Sequence, residues 1–421
     1  MTWILIASAL AVYVAWNLGA NDVANSMGTS VGSGAISLRQ ALAIAGVLEF
    51  AGAVLLGRRV VGTLASGVVN PDRFIETPTT LLIGMVSVLL TCGLWLSLAT
   101  RLSLPVASSH AVVGAIAGFG WTASGFYAVH WSLLGQISLT WLVTPLVSGA
   151  IAAGFYSLLR RWILQSALPL QQAYEWLPWL SLLLVSVFGL IVLPALQPAF
   201  AINNTLPPHT VALAVGAIAT VGIAVMASRP VPSMMTNPGG AIDTAEAAIA
   251  KFANPVEQIL ARFQLLSACF VAFAHGSNDV GNAVAPLTTI VNLTQPGSAE
   301  GDVLPLWILL LGAAGIVGGL AVWGGRVIAT IGEGILTLQP SSGFCAELAT
   351  AATVLMASRA GLPVSTSHAL VGAVVGIGLS QRSAVVHWGV VHQIGLAWVG
   401  TIPLCGGLSA LIFVGLRWLE G

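Results

Sequence analysis

The feature that most constrains this chain is a series of long apolar stretches, each about as long as a membrane-spanning helix. About 20 apolar residues in a helix cross the roughly 30 Å hydrocarbon core of a bilayer. Lipid offers the backbone no hydrogen-bond partners, so such stretches are helices, and their continuous runs differ from the alternation of a barrel strand. The stretches cover approximately residues 3–20, 41–57, 80–99, 105–121, 136–159, 178–196, 209–228, 262–286, 305–323, 343–358, 364–380 and 391–416. Two or more of them could be hairpins or re-entrant segments.

Composition supports this interpretation. The chain has 421 residues, of which 57% are hydrophobic and 7% are charged, whereas a soluble domain averages roughly 25% charged residues. The net charge is zero, with no polybasic tail, which argues against a nucleic-acid partner. The four cysteines lie far apart in apolar stretches, without the spacing of a metal site. We therefore expect a multi-pass protein whose main partner is the lipid bilayer.

The chain also contains an internal duplication. The segment Asn21–Asn25 (NDVAN) recurs as Asn278–Asn282 (NDVGN), at a shift of 278 − 21 = 257. The segment Arg101–His110 recurs as Arg359–His368, at a shift of 359 − 101 = 258. Further matches at the shift of 257 are His130-Trp131 with His387-Trp388, Gln136 with Gln393, and Trp141 with Trp398. Matches in one order at nearly one offset indicate two copies of one structural unit.

The duplication divides the chain into three parts. We predict a first repeat at 1–160, a connector at 161–261 with about two transmembrane helices and a polar loop, and a second repeat at 262–421. Five crossings per repeat and two in the connector would start the second repeat on the opposite side of the membrane. The predicted fold is an all-α polytopic membrane protein of about 10–12 transmembrane helices, with two inverted structural repeats and broken or re-entrant helices. The binding site of such a fold lies at the repeat interface near the midplane.

The two Asn-Asp segments, 21–25 and 278–282, place acids inside apolar surroundings. An ionised Asp at the centre of a membrane helix costs roughly 2.5–3.5 kcal/mol, so each asks for a cation, a proton or a cavity. Asp22 with Asn25, and Asp279 with Asn282, lie at i and i+3 and so share a helix face. Carboxylate and amide oxygens are ligands that alkali cations prefer. The alternative is an interhelical hydrogen-bond network that only stabilises the bundle.

A glycine lies upstream of each Asn-Asp segment. We expect Gly19 and Gly276 to loosen their helices and to free backbone carbonyls as further cation ligands.

The two hydroxyl segments, 105–110 (PVASSH) and 363–368 (PVSTSH), each follow a proline. Proline breaks the incoming helix, and the hydroxyls then lie where N-cap residues lie. A helix that restarts inside the membrane presents free N–H groups and hydroxyls to one point, which is an anion site. Two such sites across a pseudo-two-fold axis could hold one tetrahedral oxyanion. The alternative is a kinked helix whose hydroxyls satisfy its own backbone. His110 and His368, which follow the hydroxyls, are interpreted as structural donors.

Two further acids, Glu49 and Glu347, lie in apolar stretches at positions that the duplication does not relate. Each could be a cation ligand, a protonation site, or a neutral acid bonded to a neighbouring helix.

The charge pattern favours coupled transport. Neither kind of segment contains Lys or Arg, so an anion beside Asp22 and Asp279 needs cations with it. No Gly-x-x-x-x-Gly-Lys-[Ser/Thr] loop for a nucleotide occurs, which disfavours an ATP-driven pump. We predict a secondary transporter for an inorganic oxyanion and not an enzyme, with no cofactor. A passive anion channel and a receptor-like membrane protein are the alternatives from other classes.

These segments resemble the inorganic phosphate transporter (PiT) family, of the sodium-dependent phosphate symporter type. The resemblance rests on 19–26 (GANDVANS), 28–33 (GTSVGS), 274–283 (AHGSNDVGNA), 343–349 (GFCAELA) and 362–368 (LPVSTSH). It covers both repeats. It implies that phosphate binds between the two halves and is transported together with sodium ions.

The resemblance also implies residue roles. The expected sodium ligands are Asn21, Asp22, Asn25, Glu49, Asn278, Asp279, Asn282 and Glu347. The expected phosphate contacts are Asp22, Asn25, Ser108, Ser109, Asp279, Asn282, Ser365, Thr366 and Ser367. A homodimer in the cell (inner) membrane is a further expectation.

The first hydroxyl segment departs from the family pattern. Ala107 lies where many members have Ser, and Ser109 and Ser367 replace a frequent Thr. Fewer donors leave sulfate as an alternative substrate. Proton-coupled phosphate transport, the mode of other family members, is a second alternative. A proton on phosphate can bond to a carboxylate, and sulfate at neutral pH has none, so the acids favour phosphate if one of them touches the anion.

Overall fold

The computed structural model describes residues 2–102, 106–200, 208–228, 252, 254–294, 304–325, 328, 336, 338–381 and 386–420. In these parts the regular structure is helical, apart from one isolated bridge between Val69 and Val129. The predicted all-α class is therefore confirmed. Two features of the sequence lie outside the described residues: Pro105, and the polar connector stretch at 229–251.

Twelve long helices lie within the described residues, one for each predicted span. They are α1 Thr2–Gly32, α2 Leu38–Leu56, α3 Pro78–Arg101, α4 Ser108–Ser124, α5 Trp131–Leu159, α6 Pro169–Phe200, α7 Pro208–Ser228, α8 Pro255–Thr294, α9 Leu306–Gly319, α10 Pro340–Arg359, α11 Thr366–Ser380 and α12 Trp388–Glu420. Shorter helical turns are Arg58–Gly62, Thr63–Gly67, Pro71–Phe74, Phe126–Ala128, Arg160–Leu164 and Leu320–Gly324. Of the helices in the described parts of the chain, eight are long and apolar enough to cross a membrane. The chain is a multi-pass integral membrane protein; the exact division at residues 160 and 261 stays a prediction.

The glycines before the Asn-Asp segments do not loosen their helices, so that prediction is wrong. Helices α1 and α8 run without a break through both segments. A Cβ on Gly19 would lie 1.9 Å from the carbonyl oxygen of Ile316, and a Cβ on Gly276 would lie 2.0 Å from that of Glu49. The glycines therefore let two helix backbones touch, which is the ordinary use of small residues in membrane bundles.

The two repeats are inverted. Helices α1 and α8 carry the two Asn-Asp segments and are therefore equivalent. Ser33, at the end of α1, donates a hydrogen bond of 2.7 Å to Gln264 near the start of α8. Asp22, earlier in α1, faces His275, later in α8. Advancing along α1 thus means receding along α8, so the equivalent helices are antiparallel and the predicted inversion is confirmed.

Equivalent helix pairs also make equivalent contacts. A Cβ on Gly52 of α2 would lie 2.0 Å from the carbonyl oxygen of Phe273 in α8. A Cβ on Gly319, the last residue of α9, would lie 1.8 Å from the carbonyl oxygen of Trp16 in α1. The pairs α2–α8 and α9–α1 are the same interface built twice, with one close glycine contributed by each helix: Gly52 and Gly276 in the first pair, Gly319 and Gly19 in the second.

Helices α3 and α4 form a hairpin, and so do α10 and α11. The ring of Phe74, just before α3, stacks on Phe119 near the end of α4 with centroids 5.8 Å apart. In the second repeat, Leu336 before α10 lies beside Gly378 near the end of α11. The hairpin tips, which here include the first two residues of each restarting helix, lie between α3 and α4 and between α10 and α11, where the helices break as predicted. Gly361 turns the second tip at φ +73°, a conformation that favours glycine.

The two restarting helices differ at the N-cap. Ser365 caps α11, because its hydroxyl accepts a bond of 3.3 Å from the backbone N–H of His368. Ala107 occupies the N-cap of α4 and has no side-chain oxygen that could accept a capping hydrogen bond. The expectation that hydroxyls occupy both N-caps is therefore correct for the second segment and wrong for the first. There, Ser108 and Ser109 begin the helix instead.

The glycine contacts generate a stability prediction. Gly52→Ala and Gly319→Ala should each destabilise the protein by about 1–3 kcal/mol, because overpacking forces two backbones apart. Thermal unfolding in detergent measures this, and Gly154→Ala in α5, where nothing lies within 4 Å of the added Cβ, is the matched control. Equal melting temperatures for all three variants would contradict the close backbone contact.

The N-cap difference generates a second prediction. Ala107→Ser should stabilise the protein by about 0.5–2 kcal/mol, since its hydroxyl can accept from the His110 N–H as Ser365 does from His368. Thermal unfolding again measures the change. Ala111→Ser, one turn further into α4, controls for an added hydroxyl; an equal gain from both variants would show that capping is not the cause.

Candidate ion-binding site at the repeat interface

The two Asn-Asp segments meet where α1 crosses α8. Asp22, His275 and Asp279 each place one ligand atom within 4.8 Å of the others. All three side chains are buried, with at most 2% of their surface exposed. Two acids and an imidazole in a water-poor core form the electrostatic centre of the molecule, since such groups in a membrane need compensating partners.

The asparagines of each segment turn their amide groups to the neighbouring acid. Asn21 and Asn25 donate to the same oxygen of Asp22, at 3.0 and 3.3 Å. Asn282 donates to Asp279 at 3.5 Å. Both acid–amide pairs at i and i+3 thus share one helix face.

Several acceptor oxygens in this cluster have no donor within the described residues. They are Oδ2 of Asp22, Oε2 of Glu49, Oδ1 of Asn278 and Oδ1 of Asn282. A buried acceptor without a partner is costly, and native structures leave few of them. Carboxylate and amide oxygens that lack donors are chemically suited to hard cations.

The hairpin tips reach this cluster from both repeats. Asn282 donates to the hydroxyl of Ser108, at the first tip, at 3.2 Å. Asn278 donates to the carbonyl oxygen of Leu362, at the second tip, at 3.3 Å. Both hairpin tips therefore contact the second Asn-Asp segment, the first through the hydroxyl of Ser108 and the second through the backbone carbonyl of Leu362.

The hydroxyls at the tips are partly unused. Ser109 Oγ and Thr366 Oγ1 are buried and have no hydrogen-bond partner within the described residues. Ser365 and Ser367 share one bond of 2.8 Å. Free hydroxyls beside the first N–H groups of α4 and α11 can donate to an oxyanion.

Glu49 joins the cluster through His275, which the sequence analysis left without a role. Nδ1 of His275 lies 3.2 Å from Glu49, and Nε2 lies 2.8 Å from Asp279. Ser26 donates a further bond of 2.9 Å to Glu49. The imidazole thus lies between two buried acids, within ion-pair distance of each. Its i, i+4 spacing to Asp279 was the available signal.

Glu347, on α10, lies in a separate polar cluster. It contacts α1 at Thr29 and Ser30, about one helical turn beyond Asn25. Its oxygens accept bonds from Thr29, Ser30, Gln264 and Ser267, at 2.6, 2.6, 3.2 and 2.7 Å. These side chains come from α1 and α8, and Glu347 lies on α10. The structure therefore brings seven of the eight predicted sodium ligands to the repeat interface around Asp22 and Asp279, and places Glu347 among its own set of hydroxyls.

Comparison with known proteins agrees with this geometry. A family model described as the phosphate transporter family matches residues 18–409. The inorganic phosphate transporter 2-1, chloroplastic, of Arabidopsis thaliana is 38% identical over 420 residues, which cover 95% of this chain and 70% of that protein. A solved structure described as the sodium-dependent phosphate transporter superposes with a TM-score of 0.86 at 32% identity, covering 99% of this chain and 100% of the other.

The match therefore extends over nearly the whole chain and includes both repeats, so the predicted family resemblance is confirmed. The chain is a transporter and not an enzyme, and it belongs to the phosphate transporter family.

Proposed function

We propose that this chain carries inorganic phosphate across the membrane by sodium symport. One observation carries the proposal: the second Asn-Asp segment, with its buried acceptor oxygens, is hydrogen-bonded to a buried hydroxyl of the first hairpin tip. The bond of 3.2 Å between Asn282 and Ser108 joins the two sets. Acceptors suit a cation and donors at a helix N-terminus suit an oxyanion, so the two ions would bind side by side.

The proposed sodium ligands supply carboxylate and amide oxygens from both repeats. They are Asn21, Asp22, Asn25, Glu49, Asn278, Asp279, Asn282 and Glu347. Glu347, with its hydroxyl neighbours Thr29, Ser30 and Ser267, would form a site separate from the others.

The proposed phosphate contacts are the hydroxyls of both tips together with the facing acids and amides. They are Asp22, Asn25, Ser108, Ser109, Asp279, Asn282, Ser365, Thr366 and Ser367. A proton on phosphate can be donated to Asp22 or Asp279, which a sulfate ion cannot do. This chemistry favours phosphate over sulfate.

The same geometry gives a reason for coupling. Asp22 and Asp279 would repel an anion, so the tips can bind phosphate only when cations offset the acids. Each net positive charge carried inward then gains about 2.3 kcal/mol per 100 mV of membrane potential. Obligatory co-binding of sodium is therefore enough to drive uptake. The solved structure's description as a sodium-dependent phosphate transporter supports the proposal.

A proton-coupled permease for phosphate or sulfate is the second candidate. It is favoured by His275, an imidazole held between Glu49 and Asp279 that could carry a proton in place of a metal ion. A passive anion channel is the candidate from another class. The cell (inner) membrane and a homodimeric assembly stay predictions.

Uptake into proteoliposomes tests the coupling. An inward sodium gradient should drive accumulation of labelled phosphate, and the uptake should be electrogenic because net positive charge moves with the anion. Potassium at matched pH is the control. Equal uptake in potassium would exclude sodium coupling, dependence on a pH gradient would support the proton-coupled alternative, and indifference to every cation gradient would indicate a channel. Stronger competition by sulfate than by arsenate would change the assigned substrate.

Removing one charge at the centre tests the site. Asp22→Asn and Asp279→Asn should each lower sodium-driven uptake by roughly 10–100-fold or more, the scale on which changes around bound metal ions act. Melting temperature should show that the variants fold. Glu175→Gln, an exposed acid on α6, is the matched control and should transport normally. Wild-type uptake by either Asp variant would show that the acids are structural.

A further inference from the structure

Two buried histidines beside the hairpin tips have no part in the proposed ligand set. His110 is the third residue of α4, and His368 is the third residue of α11. They are equivalent by the duplication, and only 3% and 4% of their surfaces are exposed. Each comes directly after the hydroxyl residues proposed to bind phosphate, so a contact that fixes the histidine also fixes the position of those hydroxyls.

Each histidine is bonded to the opposite repeat. Nδ1 of His110 lies 3.0 Å from the carbonyl oxygen of Trp398 in α12. Nδ1 of His368 lies 3.0 Å from the carbonyl oxygen of Trp141 in α5. A carbonyl only accepts, so Nδ1 carries the proton in both bonds. Nε2 of each ring has no partner within the described residues, so the Nδ1 bond is the polar contact that fixes the ring.

The rings close these bonds into a loop, here called the His–Trp quartet: His110, Trp141, His368 and Trp398. His110 packs against Trp141 with centroids 3.9 Å apart and the rings tilted by 40°, and His368 packs against Trp398 at 3.6 Å with a tilt of 33°. The two imidazoles meet edge to face at 4.7 Å. Each histidine therefore bonds to one tryptophan and packs against the ring of the other. Trp141 also donates its indole N–H to Pro363 at 3.0 Å, which ties the quartet to the second tip.

Beyond the quartet, the helices are clamped in pairs. A Cβ on Gly114 of α4 would lie 2.6 Å from the carbonyl oxygen of Ile402 in α12. A Cβ on Gly372 of α11 would lie 2.2 Å from that of Pro145 in α5. Such close backbone contacts pack each pair, α4–α12 and α5–α11, tightly together. The quartet joins one pair to the other.

We propose that His110 and His368 are positioning residues that fix the two hydroxyl segments relative to each other, so that both can close on the same oxyanion. This inference rests on the proposed phosphate site and adds to it. Each hydroxyl segment is held by a helix of the other repeat, so loss of one bond should disturb both segments.

Paired substitutions separate the bond from the ring. His110→Phe and His368→Phe keep an aromatic ring for stacking and lose the Nδ1 donor. Each should raise the phosphate KM in sodium-driven uptake by about three- to tenfold, the scale of one lost hydrogen bond, with kcat changed by less than about twofold. His110→Asn and His368→Asn should restore the wild-type KM, because the Asn amide nitrogen lies where Nδ1 lies. Gln, whose nitrogen lies at the Nε2 position, should not restore it. The double Phe variant should resemble a single one, since one break already opens the loop.

The control is His392→Phe, at an exposed histidine of α12. Four outcomes would overturn the inference: an unchanged KM with only a lower melting temperature, multiplying effects in the double variant, failure of folded Asn variants to restore the KM, or a KM raised equally by His392→Phe. If the Phe variants do not fold, the comparison of Asn with Gln decides instead. Absence of phosphate uptake by the wild type would refute the proposed function and not this inference.

A measurement without any ligand completes the test. Amide hydrogen exchange should rise at both hydroxyl segments in His110→Phe and also in His368→Phe, because each bond holds its own segment to the opposite repeat and the quartet links the two segments. Exchange that rises only in the segment that carries the substitution would overturn the coupling.

Discussion

The crossing of α1 and α8 places Asp22 and Asp279 within 4.8 Å of one imidazole, away from lipid and water. Acids so buried in a membrane protein cannot remain without compensation, and much of the polar structure follows from this need. Asn21 and Asn25 turn to Asp22, His275 bridges to Glu49, and Asn282 reaches the first hairpin tip. The polar side chains of the core are thus arranged around two neighbouring acids.

Small residues make this crossing possible. Gly19 and Gly276, next to the acids, allow the backbones of Ile316 and Glu49 to approach closer than any side chain would permit. The contacts of Gly52 with Phe273 and of Gly319 with Trp16 repeat the same solution. Without a hydrophobic driving force between helices in lipid, such close packing and the hydrogen bonds of the core supply the association energy. The centre is consequently closely packed, and the helices are unbroken at the acids.

The two-fold arrangement is incomplete in a way that matters for function. Gly19 and Gly276 are equivalent residues. Gly276 contacts the backbone of Glu49, and Gly19 contacts the backbone of Ile316. Ile316 is therefore the counterpart of Glu49, and an apolar residue replaces the acid in the second repeat. His275 corresponds to Leu18, and Glu347 to Leu89, at the shifts of 257 and 258. The duplicated parts are therefore the acids and amides of the two Asn-Asp segments and the hydroxyls of the two hairpin tips. The added polar groups lie in one copy each, so the surroundings of the site differ between its two halves.

The sequence alone determined the helical membrane class, the duplication, the breaks at the hydroxyl segments and the polar residues that converge, because apolar length, repeats and proline act locally along the chain. Only the tertiary structure decided the parts that depend on neighbours distant in sequence. His275 belongs to the site because the packing of α2 on α8 brings Glu49 next to it. Glu347 lies apart from the other acids because Thr29, Ser30 and Ser267 surround it. Gly19 is a packing residue because the backbone of Ile316 lies against it. Helix-to-helix contacts of this kind are set by three-dimensional packing, and a single sequence contains no local pattern that specifies which faces meet.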